Sequence, residues 1–363
     1  MESVELKAPQ QDGPQKPKAT KKTMSKPMRI LKLIGTKTLL FAFIIAFIVG
    51  FSALFGQNVL YTGVSMVTGL LMFLKLDIGI RHKQAPFVIF GLFMLTGIAA
   101  FVAAINPWLG IAVNFITVYT ILIFGGQRAE YRSFIPFLLC YIFLQSTPVH
   151  GIDFGMRMAS LAAGGALIAV IYYPLHRKKP CPGIGVKEAL TRSVSTLATD
   201  TNKFFLRMAI GMTIAMFIGD MIGSTRTLWL SFPVFSLTQI KPIETAHRTI
   251  YRIFATILGG VLYVTVFDFI IPPEYLNIGL LATGYIYTYI TKYPLQQIFV
   301  VISALGSART LGLDSAVAWP ARVLYLLIGA LIVGILLMIE HANIWKLIKN
   351  TKKSSAHGTR HVH

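Results

Sequence analysis

Residues 39–56, with the sequence LLFAFIIAFIVGFSALFG, decide the class of this fold. The stretch contains no charged side chain and, as an α-helix, approaches the length needed to cross a hydrocarbon core of about 30 Å. Similar apolar runs of roughly 17 to 22 residues recur along almost the whole chain. The 363 residues are 55% hydrophobic and 13% charged, whereas a soluble domain carries about 25% charged residues. We therefore predict an all-α polytopic membrane protein.

Polar breaks between the apolar runs predict about twelve transmembrane helices. Those of the first half lie near 39–56, 59–75, 85–105, 108–124, 132–147 and 154–175. Those of the second half lie near 204–222, 227–240, 249–271, 275–291, 294–308 and 317–339. The segments 227–240 and 294–308 are short enough to be only half inserted, so the total of twelve depends on them.

The positions of Lys and Arg predict the orientation, because positive residues are retained on the cytoplasmic side. With the N-terminus inside, 30 of the 34 basic residues fall on inner segments. The four at outer helix ends are Arg157, Arg226, Arg309 and Arg322. We expect a multi-pass protein of the cell (inner) membrane with both termini in the cytoplasm. The net charge of +20 then reflects topology, and we expect no nucleic acid partner.

The chain divides into five predicted regions. These are a disordered basic tail (1–38), a first six-helix half (39–175), a cytoplasmic linker (176–203), a second six-helix half (204–340) and a basic, His-containing tail (341–363). The halves resemble repeats, with matches at shifts of about 165 to 167. The matched pairs are Asp77 with Glu244, Arg81 with Arg248, Arg157 with Arg322, and Gly164 with Gly329. Six helices per half predict a parallel repeat about an axis normal to the membrane.

The second half carries a family pattern in residues 204–260, FFLRMAIGMTIAMFIGDMIGSTRTLWLSFPVFSLTQIKPIETAHRTIYRIFATILGG. An apolar helix opens with Arg207, a break precedes Trp229, and a polar turn leads to Arg252 with the later pair Gly259 and Gly260. This order resembles the fusaric acid resistance and aromatic acid exporter superfamily. Many members carry a large soluble domain after the sixth span, and only the linker stands here. The resemblance implies export of aromatic carboxylic acids.

Charged residues in membrane spans are costly and are the first functional candidates. Arg157 and Arg322 occupy matching outer positions and could bind a carboxylate together. The alternative is that Asp153 pairs with Arg157 and that Arg322 reaches the outer interface. Arg248 and Arg252 lie one helical turn apart and could bind an anion entering from the cytoplasm, although positive-inside anchoring explains them equally well.

Seven further residues have candidate roles. Glu244 and Asp77 are the predicted proton-coupling carboxyls. Trp229 could stack on an aromatic substrate, although anchoring at the membrane interface is its ordinary role. Small residues allow close helix packing, and we assign that role to Thr256, Gly259, Gly260 and Gly329.

The sequence contains no phosphate-binding glycine loop, paired metal-ligand spacing or nucleophile elbow. We expect a non-enzyme without cofactor or metal. The leading hypothesis is export of small organic anions driven by the proton motive force. The two alternatives to export are an anion channel of the same architecture and a non-transporting membrane scaffold for an envelope enzyme. The partners considered besides lipid and substrate are a second copy of the chain and a periplasmic adaptor.

Overall fold

A computed structural model describes residues 26–178, 183–195, 199–223, 227–310 and 312–358, without the side chains of 26, 194 and 343–358. This part of the chain forms thirteen α-helices and no named strand. The first six are α1 (Lys26–Phe55), α2 (Leu60–Phe73), α3 (Ala85–Ala103), α4 (Pro107–Gly125), α5 (Ile135–Ser146) and α6 (Gly151–His176). The others are α7 (Val186–Ser195), α8 (Asp200–Met221), α9 (Thr227–Leu237), α10 (Pro242–Tyr263), α11 (Leu276–Tyr287), α12 (Tyr293–Thr310) and α13 (Ser315–Gly358). Helix α10 continues as a π-helix over Val264–Ile270.

Seven helices in the described ranges are long and apolar enough to cross a membrane: α1, α3, α4, α6, α8, α10 with its π-helical extension, and α13. The protein is therefore an all-helical, multi-pass membrane protein. Helices α2, α5, α9 and α11 are shorter than predicted and have 11 to 14 residues. At 1.5 Å per residue they reach about 16 to 21 Å, so their lengths do not establish the predicted count of twelve crossings.

The ends of the membrane region differ from the predicted boundaries. Helix α1 begins at Lys26, so residues 26–38 are helical although we placed them in a disordered tail. Helix α13 extends to Gly358 and includes most of the predicted C-terminal tail. A helix needs an apolar environment only where it crosses lipid, and its hydrogen-bonded backbone can continue into water. The length of the apolar run is therefore shorter than the length of each of these two helices.

Four helix contacts in the first predicted half have counterparts in the second. In the first half α2 packs on α1 and α6, and α3 packs on α5 and α6. In the second half α9 packs on α8 and α13, and α10 packs on α12 and α13. The two halves meet where α4 lies along α8 and α5 contacts α9. Their shared hydrophobic core includes Tyr141, Phe205, Met212 and Leu230.

The linker between the halves contains the amphipathic helix α7, which packs on α4. An isolated β-bridge joins Ile184 to Ile80, and Glu188 on α7 lies 3.8 Å from the guanidinium of Arg81. These contacts hold the described part of the linker against the turn after α2. Residues 179–182, including Cys181, lie outside the described ranges.

Candidate anion site along helix α9

A cavity of about 950 Å³ opens between the two halves. Its walls come from the α4–α5 connection of the first half and from α8, the end of α9 and the start of α10 of the second. The charged residues of its wall are Arg128, Arg132, Lys241 and Arg248, together with Glu130 and Glu244. Aromatic side chains also line it, including Tyr131, Phe204 and Phe235. The cavity thus offers both a net positive charge and apolar surface.

Arg132 joins the two halves at this cavity. Its backbone has the left-handed φ of 52°, and its Nη2 donates a hydrogen bond to Oε1 of Gln239, just beyond α9. Burial, together with the positive charge of Arg248, lowers the pKa of Arg132 from its ordinary value. An anion placed between these two guanidinium groups would relieve their repulsion.

Arg252 projects from α10 onto α9 and is only 7% exposed. Its Nη1 donates to the backbone oxygen of Phe232 at 3.2 Å and to Oγ of Ser236. Phe232 and Ser236 are one turn apart, so they share a face of α9. A carbonyl and a hydroxyl satisfy hydrogen bonds of the guanidinium without neutralising its charge.

Arg322 approaches α9 from α13, one turn further from the cavity. Its Cζ lies 5.5 Å from the centroid of the Trp229 ring, and both residues are below 10% exposed. Trp229 is therefore covered by a cation in the protein core, and the predicted interfacial anchoring does not describe its surroundings. Such cation–π contact stabilises a desolvated cation by roughly 2 kcal/mol, which is less than the cost of burying an unpaired charge.

Four arginines form what we call the α9 cation row: Arg132, Arg248, Arg252 and Arg322. Each interacts electrostatically with the next, Arg132 with Arg248, Arg248 with Arg252, and Arg252 with Arg322. The four ion pairs found in the described ranges include none of them. Arg248 instead lies over the Tyr293 ring at 4.6 Å. The row therefore leads from the cavity into the second half with no described carboxylate in ion-pair contact, and Glu244 acts electrostatically on Arg132 at its cavity end.

Arg157 does not join this row. Its Nη1 donates to the backbone oxygen of Thr147 at 2.6 Å, and its Nη2 donates to that of Asn58 at 3.2 Å. These partners lie in the first half, whereas the contacts of Arg322 lie in the second. The structure therefore does not bring the two predicted carboxylate ligands into one site. Asp153, the predicted alternative partner, forms no described ion pair with Arg157.

The two predicted proton-coupling carboxyls have different surroundings. Glu244 is exposed in the first turn of α10 and lines the cavity. Asp77 is buried, and its Oδ1 accepts hydrogen bonds from the Tyr172 hydroxyl at 2.8 Å and from the Gly79 amide at 2.7 Å. Both donors are neutral, and they fix the turn that follows α2.

The small residues assigned to packing lie at helix contacts. A Cβ added to Gly259 would lie 2.9 Å from Cβ of Val301 on α12, and one added to Gly260 would overlap the Trp319 ring on α13. Thr256 is 4% exposed on the same helix. A Cβ on Gly329 would lie 2.6 Å from Cβ of Pro233 in α9.

Sequence reasoning did not identify Arg132 and Gln239 as parts of a site. In the sequence, Arg132 stands at the start of the fifth predicted span and Gln239 near the end of the eighth. They come from different halves, and only the packing of those halves brings them together. The one sequence signal was the presence of an uncharged polar side chain at the end of a predicted span.

A comparison with protein families matches most of the second half. Residues 214–336 match the family model described as fusaric acid resistance protein-like. The resemblance predicted from residues 204–260 is thereby confirmed. The matched segment contains α9, Arg248, Arg252 and Arg322. Arg132 lies outside the matched segment, in the first half of the chain. No curated protein and no solved structure matches the chain.

Proposed function

We propose that this protein exports small organic anions across the cell membrane, with aromatic carboxylates as the first class to test and the proton motive force as the energy source. The α9 cation row is the observation that carries the proposal. Unpaired cations inside a membrane protein are costly and are retained where they serve a pathway. The matched family is named for resistance to an acid, which agrees with an anionic cargo.

The proposed route begins in the cavity between the halves. Arg128, Arg132 and Arg248 attract the carboxylate, while the ring of Phe204 or Phe235 offers apolar surface to the rest of the molecule. The anion then passes Arg252 and Arg322 along α9. Guanidinium groups suit this task because they can donate two parallel hydrogen bonds to one carboxylate. Arg157 has no part in this route.

We also propose that the chain crosses the membrane about twelve times, as two parallel six-helix halves with the cavity facing the cytoplasm. Two observations support this topology. Four helix contacts of the first half have counterparts in the second, and residues of the predicted inner segments 125–131 and 241–248 both line the cavity. Rocking of α4 and α5 against α8 and α9 would alternate access to the row.

Neutralising one member of the row tests the proposal. The variant Arg252→Gln is expected to lower efflux of benzoate from loaded cells about tenfold, since a hydrogen bond to a charged group contributes roughly 1.5–3 kcal/mol. Arg192→Gln is the matched control, because Arg192 is exposed on α7 and should leave efflux unchanged. Normal efflux by Arg252→Gln at normal membrane levels would remove the row from the pathway.

An anion channel is the second candidate, and the continuity of the row favours it, because a channel also needs closely spaced cationic positions. The two functions differ in their need for a gradient of protons. Single-channel currents carried by benzoate in a planar bilayer, at equal pH on both sides, would identify a channel. Accumulation of benzoate against its gradient would identify a coupled exporter.

A further inference from the structure

A second polar contact joins the two halves at the end of the molecule away from the cavity. Asp220 lies in the last turn of α8, and Gln145 lies in the last turn of α5. The Gln145 Nε2 donates to both carboxylate oxygens of Asp220, at 3.1 and 3.0 Å. Asp220 takes part in none of the ion pairs of the described ranges. Within the described ranges, which do not include 224–226, this carboxylate has an amide as its hydrogen-bond partner and no paired cation.

The Gln145 amide oxygen, Oε1, has no hydrogen-bond donor in this contact. Gln145 is 5% exposed, and its Oε1 is buried without a hydrogen-bond partner. An ionised carboxylate can only accept hydrogen bonds, so it cannot satisfy this oxygen. A protonated Asp220 has one O–H to donate, and the acceptor next to it is unoccupied.

We propose that Asp220 is the proton-binding carboxyl of this protein. Gln145, across the interface between the halves, changes its hydrogen bonding when Asp220 is protonated. A proton from the solution at this end binds one carboxylate oxygen. The new O–H donates to Gln145 Oε1, while Gln145 Nε2 continues to donate to the other oxygen. The pair becomes neutral and reciprocal, and when the proton returns to solution the present contact is restored. Proton coupling of export by this pair rests on the function proposed above.

The groups around Asp220 are suited to such a change. Tyr141, one turn before Gln145 on α5, interacts electrostatically with Asp220 and donates its hydroxyl to Asn114 of α4 at 2.6 Å. Helices α4 and α9 contain no charged side chain. On α13 the charged residue toward this end is Arg322, which lies over Trp229. Among the described groups, then, Gln145 is the hydrogen-bond partner of Asp220, and Tyr141 is a second polar group that interacts with it.

Asp268, another acid at this end, differs in its partners. It forms an ion pair with Arg309, and its second oxygen accepts a hydrogen bond from the Ser315 hydroxyl. A cation and a hydroxyl already stabilise its ionised form. In the part of the chain that the structure describes, Asp220 has neither partner, and this contrast favours Asp220 as the proton-binding carboxyl.

Infrared spectroscopy tests proton binding without any substrate. For the purified full-length protein in lipid nanodiscs, acidification is expected to produce a carboxylic C=O band that is absent in Asp220→Asn. The band should shift in Gln145→Leu, because the protonated group loses its acceptor. Asp153→Asn, at the same end on α6, should retain the band. Identical difference spectra for the unchanged protein and Asp220→Asn would overturn the proposal.

Transport assays test the coupling separately. In proteoliposomes, Asp220→Asn is expected to lose accumulation of radiolabelled benzoate driven by a pH gradient and to retain exchange of benzoate at equal concentrations. Gradient-driven accumulation by Asp220→Asn would overturn the coupling role. If the unchanged protein fails both assays, the exporter function fails for benzoate, whereas the infrared result alone decides whether Asp220 binds the proton.

Discussion

Arg207 is a buried arginine whose charge is matched, in contrast to those of the α9 cation row. Its Nη1 pairs with Glu340 of α13, and its Nη2 donates to the backbone oxygen of Gln239. The Arg207 side chain is 3% exposed. This pair fixes α8, α13 and the end of α9 to one another beside the cavity, so its role is structural.

Removal of the carboxylate should therefore destabilise the protein. The variant Glu340→Gln leaves Arg207 buried without its anion, and we expect the free energy of unfolding to fall by about 3–5 kcal/mol. Thermal unfolding in detergent, followed by tryptophan fluorescence, measures the change. Glu188→Gln is the control, because the Arg81–Glu188 pair is more than half exposed on both sides and should contribute no more than about 1 kcal/mol. Equal effects of the two variants would contradict this account.

Helix α10 has a face that packs against other helices and a face that is exposed, and two glycines lie on the packed face. Gly259 and Gly260 face α12 and α13, whereas Phe254, Ile257 and Leu258 are exposed. Helix association in lipid depends on close packing because burial of apolar surface gains little there. The glycine face therefore determines how α10 is held within the second half.

A methyl group on this face should be costly. The variant Gly260→Ala places a Cβ against the Trp319 ring, and we expect a loss of about 1–3 kcal/mol in the free energy of unfolding. The control is Gly334→Ala on α13, where an added Cβ meets no atom within 4 Å. Thermal unfolding in detergent should show a lower midpoint for Gly260→Ala alone. A normal midpoint for that variant would show that Trp319 can move aside.

For the molecule as a whole, the proposed two-half topology predicts which side of the membrane each connecting segment faces. The linker helix α7 should face the cytoplasm, and the start of α6 should face outward. In a protein with Cys181→Ser, a cysteine at Arg192→Cys should react with a membrane-impermeant maleimide only in inside-out vesicles. One at Ile152→Cys, where the residue is 83% exposed, should react only in intact spheroplasts. Cys140 is buried and should stay unlabelled.

The labelling pattern tests two features: whether the chain crosses the membrane between residues 152 and 192, and which face of the membrane the cavity opens to. Labelling of both cysteines from the same side would show that α6 does not cross the membrane completely. Labelling of Arg192→Cys from outside would reverse the orientation and place the cavity on the outer face. Either result would overturn the proposed route.

The amino-acid sequence was sufficient to predict a helical membrane protein, the approximate positions of its apolar helices, and the family that its second half resembles. Apolar runs and basic loops are local features, so they can be read along the chain. Which charged groups act together depends on how the helices pack. This packing joined Arg252 and Arg322 along α9, bound Arg157 to loop carbonyls, and paired Asp220 with Gln145. Helical spacing gives a side chain's face but not the helix opposite, because packing between segments far apart in sequence selects that partner.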